Sequence, residues 1–262
     1  MNNKKNIAIY LVSLNSDLER RNNLAKQFPN FFGNMIHIEA VDGREMDAKS
    51  YFNKVLPNFQ ENNRLMSPAE LGCTLSHIQA LESFLKTDNK HALIIEDDIL
   101  GSDKDIENIF NLISSLDQYA LLICGGQEGT RSTRYVVGKE INNDGLWKIS
   151  SFSYPYILRT CCYVVTRASA EQILNRQKEM LVLADDWSYF FKDTISHIFY
   201  SGHLSHPVDL SNSHIEIDRK NFKQKSVLKN ALSFLFLKRA VKRMYRELGL
   251  VVNKFFGFKR LF

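Results

Sequence analysis

Short apolar runs alternate along the chain with longer segments in which apolar residues recur every three or four positions, the pattern of strands feeding helices. Lys5 to Leu14 alternates and then turns apolar, and Ser16-Asp-Leu-Glu19 reads as a capping box, so a strand and a helix through about Phe28 are predicted. Met35 to Val41 predicts a second strand, closed by the turn Asp42-Gly43-Arg44. Ser67-Pro-Ala-Glu70 is a second capping box with proline at the first helical position, and predicts a helix to about Lys86. On that helix Leu71, Leu75, Ile78 and Leu85 form an apolar stripe, Gly72, Ser76 and Ala80 a small-residue stripe, and Glu70, Cys73 and His77 a further side. Ala92 to Ile95 is too short for a helix and too apolar for a surface edge, so it reads as a strand inside a sheet. Helices are predicted over 102–116, 167–178 and 186–192, and strands over 119–124, 135–137, 147–149, 161–166 and 198–206. Strand followed by helix, repeated, is the signature of an α/β layered fold.

The length of 262 residues suits one large α/β domain with an appendage, and a composition 44% apolar and 11% aromatic excludes disorder as a description of the whole chain. Eleven of the 34 basic residues but one of the 29 acidic residues fall in 222–262, which leaves 23 basic against 28 acidic before that point. The body is thus acidic and the tail basic, with the division expected near Asp218, giving 1–218 and 219–262. In the tail Leu228, Ala231, Leu232 and Leu235, then Val241, Met244, Tyr245 and Leu248, fall at helical spacing between Lys238, Arg239, Lys242, Arg243 and Arg246. A basic amphipathic helix of this kind fits an anionic membrane surface; docking on the acidic face of the body is the alternative. A nucleic-acid binder would carry its basic surface on the folded body, so nucleic acid is not an expected partner. No apolar run reaches the roughly 18 residues of a membrane span, and Ile7 to Leu14 reads as a first strand, not a signal peptide. Cys73, Cys124, Cys161 and Cys162 lack metal-type spacing and fit structural thiols in a reducing compartment, with Cys161 and Cys162 expected on opposite faces of a strand.

Chemistry is expected where apolar runs end in carboxylates. Glu96-Asp-Asp98 emerges at the C-terminal end of the predicted buried strand, where ligands bind in open α/β sheets. Three carboxylates gathered there repel one another, and a hard divalent cation neutralises them. Leu181-Val-Leu-Ala-Asp-Asp-Trp187 is a second such place, with Trp187 expected to stack on a sugar face while Asp185 or Asp186 acts as base; an N-cap aspartate is the plainer alternative. His206 is a candidate to complete a metal site, and Arg20 and Arg21, just inside the first helix, are candidates to reach a phosphate. Gly72 and Ser76 would let either a nucleotide or another backbone approach closely. The segment Gly126 to Arg134 reads as a mobile loop with two arginines, of the kind that closes over a charged ligand or is simply solvated.

Five stretches in this order, Tyr10-Leu-Val-Ser-Leu-Asn-Ser-Asp-Leu-Glu-Arg-Arg21, Ala40-Val-Asp-Gly43, Ser67-Pro-Ala-Glu-Leu-Gly-Cys-Thr-Leu-Ser-His77, Ile94-Ile-Glu-Asp-Asp98 and Ala184-Asp-Asp-Trp187, resemble the glycosyltransferase family 25 enzymes of lipooligosaccharide biosynthesis. The resemblance spans residues 7 to about 215 and leaves the basic tail outside it. It implies a GT-A fold, a Rossmann-like nucleotide-sugar-binding sheet whose acidic motif is in general Asp-x-Asp and here Glu-Asp-Asp. It further implies transfer of a sugar, most often galactose, from a UDP-sugar to a lipooligosaccharide acceptor with inversion, with Mn²⁺ or Mg²⁺ as cofactor. On that reading Asp98 and Asp97 hold the cation, with His206 as a third ligand. Ser13, Arg20, Arg21, Gly72, Ser76, His77, Glu96 and Asp97 hold the donor, and Asp186 or Asp185 is the base, Asp186 being preferred. A lipid-linked acceptor gives the basic tail a reason, and puts the protein in the cytoplasm, peripheral on the cytoplasmic face of the inner membrane. Competing readings are a metal-dependent nucleotidyl or phosphoryl transferase, a two-carboxylate glycoside hydrolase and a non-enzymatic scaffold at a membrane surface.

Overall fold

The computed structural model describes residues 6–141, 145–191, 193–209, 215, 218 and 232–262, with the side chains of the last segment from Ala240 onward. Its spine is one nine-stranded mixed sheet. Strands β1 (Ile7–Ser13), β2 (Ile36–Glu39) and β3 (His91–Glu96) lie parallel in the order β2-β1-β3. Next to β3 comes β7 (Cys162–Thr166), antiparallel, and then β4 (Ala120–Gly125) and β8 (His197–Leu204), which are parallel to each other. The short strands β6 (Trp147–Ile149), β5 (Val137–Glu140) and β9 (Lys259–Arg260) finish the sheet, each antiparallel to its neighbour. The expected α/β architecture is present: a parallel Rossmann-like half, β2-β1-β3, carries the first strand–helix unit.

Strand parity sorts the core into two halves. Along β3, Ala92 and Ile94 face one side and Leu93 and Ile95 the other, all four fully buried. The Ala92 side is covered by α3 (Pro68–Leu85), α5 (Arg167–Glu179) and α6 (Trp187–Phe191), through Ala80, Leu81, Phe84, Ile173 and Phe190. The Leu93 side is covered by α1 (Leu18–Gln27) and α4 (Asp103–Ile113), through Leu24, Ile106 and Ile109. A further helix, α2 (Ala48–Asn62), lies in a stretch for which the hydrophobic pattern predicted nothing; it docks Tyr51 and Val55 against Met66 and Leu71.

Most predicted elements are present within a few residues of their expected limits, and two local expectations fail. The Ser67–Glu70 capping box forms with both reciprocal bonds. The one expected at Ser16 does not: α1 starts after Asp17, which makes no side-chain cap bond and instead lies 3.6 Å from the Arg20 guanidinium. Cys161 and Cys162 do not oppose each other across a strand, because β7 begins only at Cys162; their sulfurs lie 3.7 Å apart, both buried.

Of the composition shift at Asp218 to Phe222, Asp218 is described, its Oδ2 accepting the Ala69 N–H at 2.9 Å; residues 219–222, Leu228 and Ala231 lie outside the described residues, as do the side chains of Leu232, Leu235, Lys238 and Arg239. Helix α7 (Leu232–Phe255) follows. Its C-terminal half docks on the body through aromatic and apolar contacts, not through an acidic face. Leu250 is buried with Tyr135 and Val137, Arg246 lies over the Tyr135 and Tyr156 rings at 5.2 and 5.4 Å, and Asn253 Oδ1 accepts from Ser150 at 2.5 Å. Lys259 and Arg260 then pair with β5, so the last residues of the chain complete the sheet edge.

Candidate functional site

A cavity of about 780 Å³ opens beyond the C-terminal ends of β1 and β3, where a parallel α/β sheet leaves its crevice. Register builds its floor: Val12 lies opposite Glu96 in the parallel pair, so Ser13 and Asp97 leave the sheet side by side. The Ser13 hydroxyl donates to Asp97 at 2.6 Å. One turn into α1, Arg20 reaches across 78 residues and pairs with both neighbours, Nη1 to Asp97 at 2.9 Å and Nη2 to Asp98 at 2.6 Å.

The acidic triplet therefore does not gather around one point. Glu96 turns toward α3, where Thr160 Oγ1 donates to it at 2.7 Å and His77 Nε2 lies 3.2 Å away. Asp98 turns the opposite way, toward His206 Nε2 at 3.3 Å. His206 arrives there because β8 is carried past its end by the bridge between Leu100 and Ser205. Gly125 allows this: with φ of 138°, a Cβ at this position would sit 1.6 Å from the Leu204 carbonyl oxygen.

Electrostatics follows from this division. Burial pushes the Asp97 carboxyl up to about 6 despite the lowering influence of Arg20 and Ser13. Burial acts on Asp98 in the same direction, but the hydrogen bond and charge of His206, together with Arg20, outweigh it and hold Asp98 below its ordinary value. Burial would depress His206, and the Asp98 carboxylate overrides it, raising the imidazole. Arg20 supplies the positive charge that repulsion within the triplet was expected to draw from a cation.

The donor set nonetheless fits a cation. Asp98 Oδ1 is buried with no hydrogen-bond partner among the described residues, a position that costs on the order of 1–3 kcal/mol unless something binds it. His206 Nδ1 lies 2.8 Å from the Pro207 carbonyl, which must accept from it, so the lone pair of a neutral ring falls on Nε2, beside Asp98. Carboxylate oxygen and imidazole nitrogen together suit a divalent ion of the Mn²⁺ or Mg²⁺ kind.

The other predicted residues divide. Asp185 lines the cavity, and its Oδ2 accepts the Arg159 backbone N–H at 2.8 Å. Asp186 is not among the lining residues; its Oδ1 accepts the Tyr189 N–H at 3.2 Å, as an N-cap of α6. Burial, with the charge of Asp185, raises its carboxyl. Trp187 is not available to a sugar, since it is 1% exposed and packs edge-on against Tyr163 and Phe190. Ser76 is at the cavity wall but buried, accepting from Val41 N–H at 2.8 Å and donating to the Gly72 carbonyl at 2.7 Å. Gly72 lies under the Val41–Gly43 backbone, where a Cβ would come within 2.4 Å of the Val41 carbonyl oxygen. Its small size serves close packing of α3 beneath that turn. Arg21 braces the end of β1, donating to Ser13 Oγ at 2.9 Å and to the carbonyls of Leu14 and Asn15.

Residues that carried no sequence signal complete the wall. Arg159 holds φ of 68°, unusual for a residue with a side chain, and its guanidinium donates to the Gly126 and Glu128 carbonyls at 2.7 and 3.1 Å. It thereby fixes the expected loop, whose Gly129 to Ser132 form one rim of the cavity. Thr160 is a further lining residue, and so is Cys73, which was expected on the same side of its helix as Glu70 and His77. The threonine acts through its bond to Glu96, which a sequence pattern does not show.

This geometry can be set beside known proteins. The family model described as "Glycosyltransferase family 25 (LPS biosynthesis protein)" matches residues 6–188. The chain is 26% identical over 178 residues to a glycosyltransferase 25 family member of Anopheles gambiae, covering 64% of this chain and 28% of that one. It is 24% identical over 118 residues to procollagen galactosyltransferase 2 of Homo sapiens, covering 43% and 19%. It is also 26% identical over 170 residues to a procollagen lysyl hydroxylase and glycosyltransferase of Acanthamoeba polyphaga mimivirus, covering 59% and 17%. The matched regions are thus less than a third of these relatives' length. Among solved structures, an inositol-1-phosphate CTP transferase from T. maritima aligns at TM-score 0.43 and 12% identity over 82% of this chain and 94% of that one. A mannose-1-phosphate geranyltransferase from Thermus thermophilus aligns at 0.40 and 12%, over 77% and 75%. Likenesses that distant bear on no residue of the site. The match over residues 6–188 takes in the floor of the cavity, both acidic clusters and the Ser67–His77 helix start, and by it this chain belongs to glycosyltransferase family 25.

Proposed function

We propose that this chain transfers a hexose, galactose first among the candidates, from a UDP-sugar in the cavity to a hydroxyl of a lipooligosaccharide acceptor, with inversion. The observation that carries this reading is Asp98 at the end of a buried parallel strand, one oxygen buried without a partner among the described residues and the other 3.3 Å from His206 Nε2, in a cavity large enough for a nucleotide sugar. The family's description, lipopolysaccharide biosynthesis, supports the acceptor class, and the galactosyltransferase name of a relative supports the sugar.

In this mechanism Asp98, Asp97 and His206 would hold Mn²⁺ or Mg²⁺, which when bound supplies electrostatic stabilisation to the departing diphosphate. Ser13 fixes the Asp97 carboxylate by its 2.6 Å bond. Arg20 brings a guanidinium to the same wall, in reach of diphosphate oxygens. Glu96, held by Thr160 and His77, turns a carboxylate toward a sugar or ribose hydroxyl. Asp185, braced by the Arg159 N–H, accepts the proton of the attacking hydroxyl. Single displacement at the anomeric carbon inverts it, because base and leaving group sit on opposite faces of the ring. The direct test is UDP release from UDP-galactose, UDP-glucose and their N-acetyl-hexosamine counterparts, with Mn²⁺ or with EDTA. Release from at least one donor, abolished by EDTA, is expected; none from any donor overturns the reading.

The acceptor's lipid gives the tail its role, at the cytoplasmic face of the inner membrane. The undocked side of α7 exposes Met244, Tyr245, Leu248, Val251 and Phe255 beside Lys242, Arg243 and Lys254, apolar and basic in the combination an anionic bilayer attracts. No helix among the described residues is long and apolar enough to cross a membrane. Replacing Tyr245, Val251 and Phe255 together by Glu should abolish sedimentation with anionic vesicles and leave turnover on a soluble acceptor intact. Undiminished sedimentation moves the contact elsewhere.

A further inference from the structure

Cys73 and His77 lie four residues apart on α3, one turn of helix, and so face the same way. Across from them stands Glu96 at the end of β3. The ligating atoms of the three, a sulfur, an imidazole nitrogen and a carboxylate oxygen, lie within 4.8 Å of one another. All three line the cavity, which gives an ion a way in. The set differs in kind from Asp97, Asp98 and His206: a thiolate ligand selects zinc-like ions and is a poor partner for magnesium or manganese.

We infer that Cys73, His77 and Glu96 form a second cation site, one for a thiophilic divalent ion such as Zn²⁺, on the α3 wall of the cavity and separate from the Asp98 wall.

The surrounding atoms are arranged as such a site requires. His77 is 3% exposed, and its Nδ1 lies 3.0 Å from the Tyr163 hydroxyl. A phenol can accept as well as donate, so it can take the Nδ1 proton and leave the Nε2 lone pair directed at the ion, the usual outer bond of a metal-bound histidine. Thr160 Oγ1 donates to Glu96 at 2.7 Å and lies 3.7 Å from Cys73 Sγ, bridging two of the three ligands. Three protein ligands leave a fourth tetrahedral position facing the cavity, to be filled by water or by a donor atom of a bound molecule. Binding exchanges the Cys73 thiol proton for the ion and releases that proton to solvent. The site shares Glu96 and the cavity with the transferase reading, but its test reads metal binding in the absence of any donor, so the two can fail separately.

Co²⁺ reports the difference directly, because only a sulfur ligand gives a near-ultraviolet sulfur-to-cobalt charge-transfer band. Titrating Co²⁺ into the metal-stripped full chain should produce that band at one equivalent, and Zn²⁺ should remove it by displacement. Cys73→Ser and Cys73→Ala should each abolish the band; alanine suits the helix interior, so a normal melting curve for that variant in EDTA separates loss of ligand from loss of fold. Thr160→Val should weaken Zn²⁺ by about 10-fold or more, the usual effect of removing an outer-sphere partner. Asp98→Asn should leave the band in place. No band in the wild-type chain, a band that survives both Cys73 substitutions, or one lost in Asp98→Asn overturns the inference.

Discussion

Two places in this molecule hand carboxylates from an apolar run to the cavity side, and they are held in opposite ways. The Glu96–Asp98 triplet is tied to distant parts of the chain: Ser13, Arg20, His77, Thr160 and His206 all converge on it. The Asp185–Asp186 pair is held by backbone N–H groups, Asp186 locally by the helix it caps and Asp185 by the Arg159 turn 26 residues earlier. The difference teaches that adjacent acids of one sequence run do not share a task. In the triplet each carboxylate has its own set of partners. In the pair one residue serves the cavity and the other serves the fold.

Breaking the comparison at its strongest point means removing the charge of Asp98. Asp98→Asn should lower divalent-dependent UDP-sugar turnover by roughly 10³-fold, as loss of several kcal/mol of leaving-group stabilisation requires. Its melting temperature should fall, because the ionised Asp98 stabilises the fold through Arg20 and His206, while its circular dichroism stays that of a folded chain; unchanged turnover would falsify the metal role. At the second cluster Asp185→Asn should cost about 100-fold in kcat. Asp186→Asn, in which asparagine still caps α6, should cost far less. The reverse order would return the base to Asp186, the residue first preferred, and its raised carboxyl would then be the reason.

A smaller effect is expected from pH. An acid whose folded pKa is raised favours the fold while protonated and loses that contribution as pH rises through the folded value. For Asp97 this falls between about pH 4 and 6 in the cation-free protein. A cation reverses the preference because it binds the ionised form. Mn²⁺ affinity should therefore rise about 10-fold from pH 5 to pH 7 by calorimetry, with His206 adding in the same direction because it must shed its proton. A flat profile would separate Asp97 from the cation.

Smallest in catalytic effect, Gly72→Ala should leave the Michaelis constant for the donor nearly unchanged while lowering stability by about 1–3 kcal/mol. The added Cβ meets the Val41 carbonyl, a backbone atom that cannot swing away. A large rise in that constant with normal melting would restore Gly72 to the nucleotide face.

How much of this was legible in the sequence depends on how local the cause is. The buried run Ala92 to Ile95, the Ser67 capping box and the strand-to-helix order read correctly because side-chain alternation and helix capping are settled within a few residues. The stripe Gly72, Ser76, Ala80 was visible, but not what lay against it, a turn of backbone 41–43. Trp187 illustrates the same limit: its neighbours in sequence are two acids, yet its neighbours in space are Tyr163 and Phe190, because α6 packs its aromatic side into the sheet. Helix α2, with Pro57 inside it and a polar majority, carries no helical pattern of its own.

By itself, then, the sequence determined that this is an α/β chain of family 25 with carboxylates at the end of a buried strand, since hydrophobic periodicity, caps and ordered motifs are written in contiguous residues. Only the tertiary structure decided that Glu96 joins Cys73 and His77 while Asp98 joins Arg20 and His206. That division depends on the parallel register of β1 against β3, on the bridge from Leu100 to Ser205 and on β7 lying between β3 and β4. Each is a pairing between segments far apart in the chain, which no local pattern specifies.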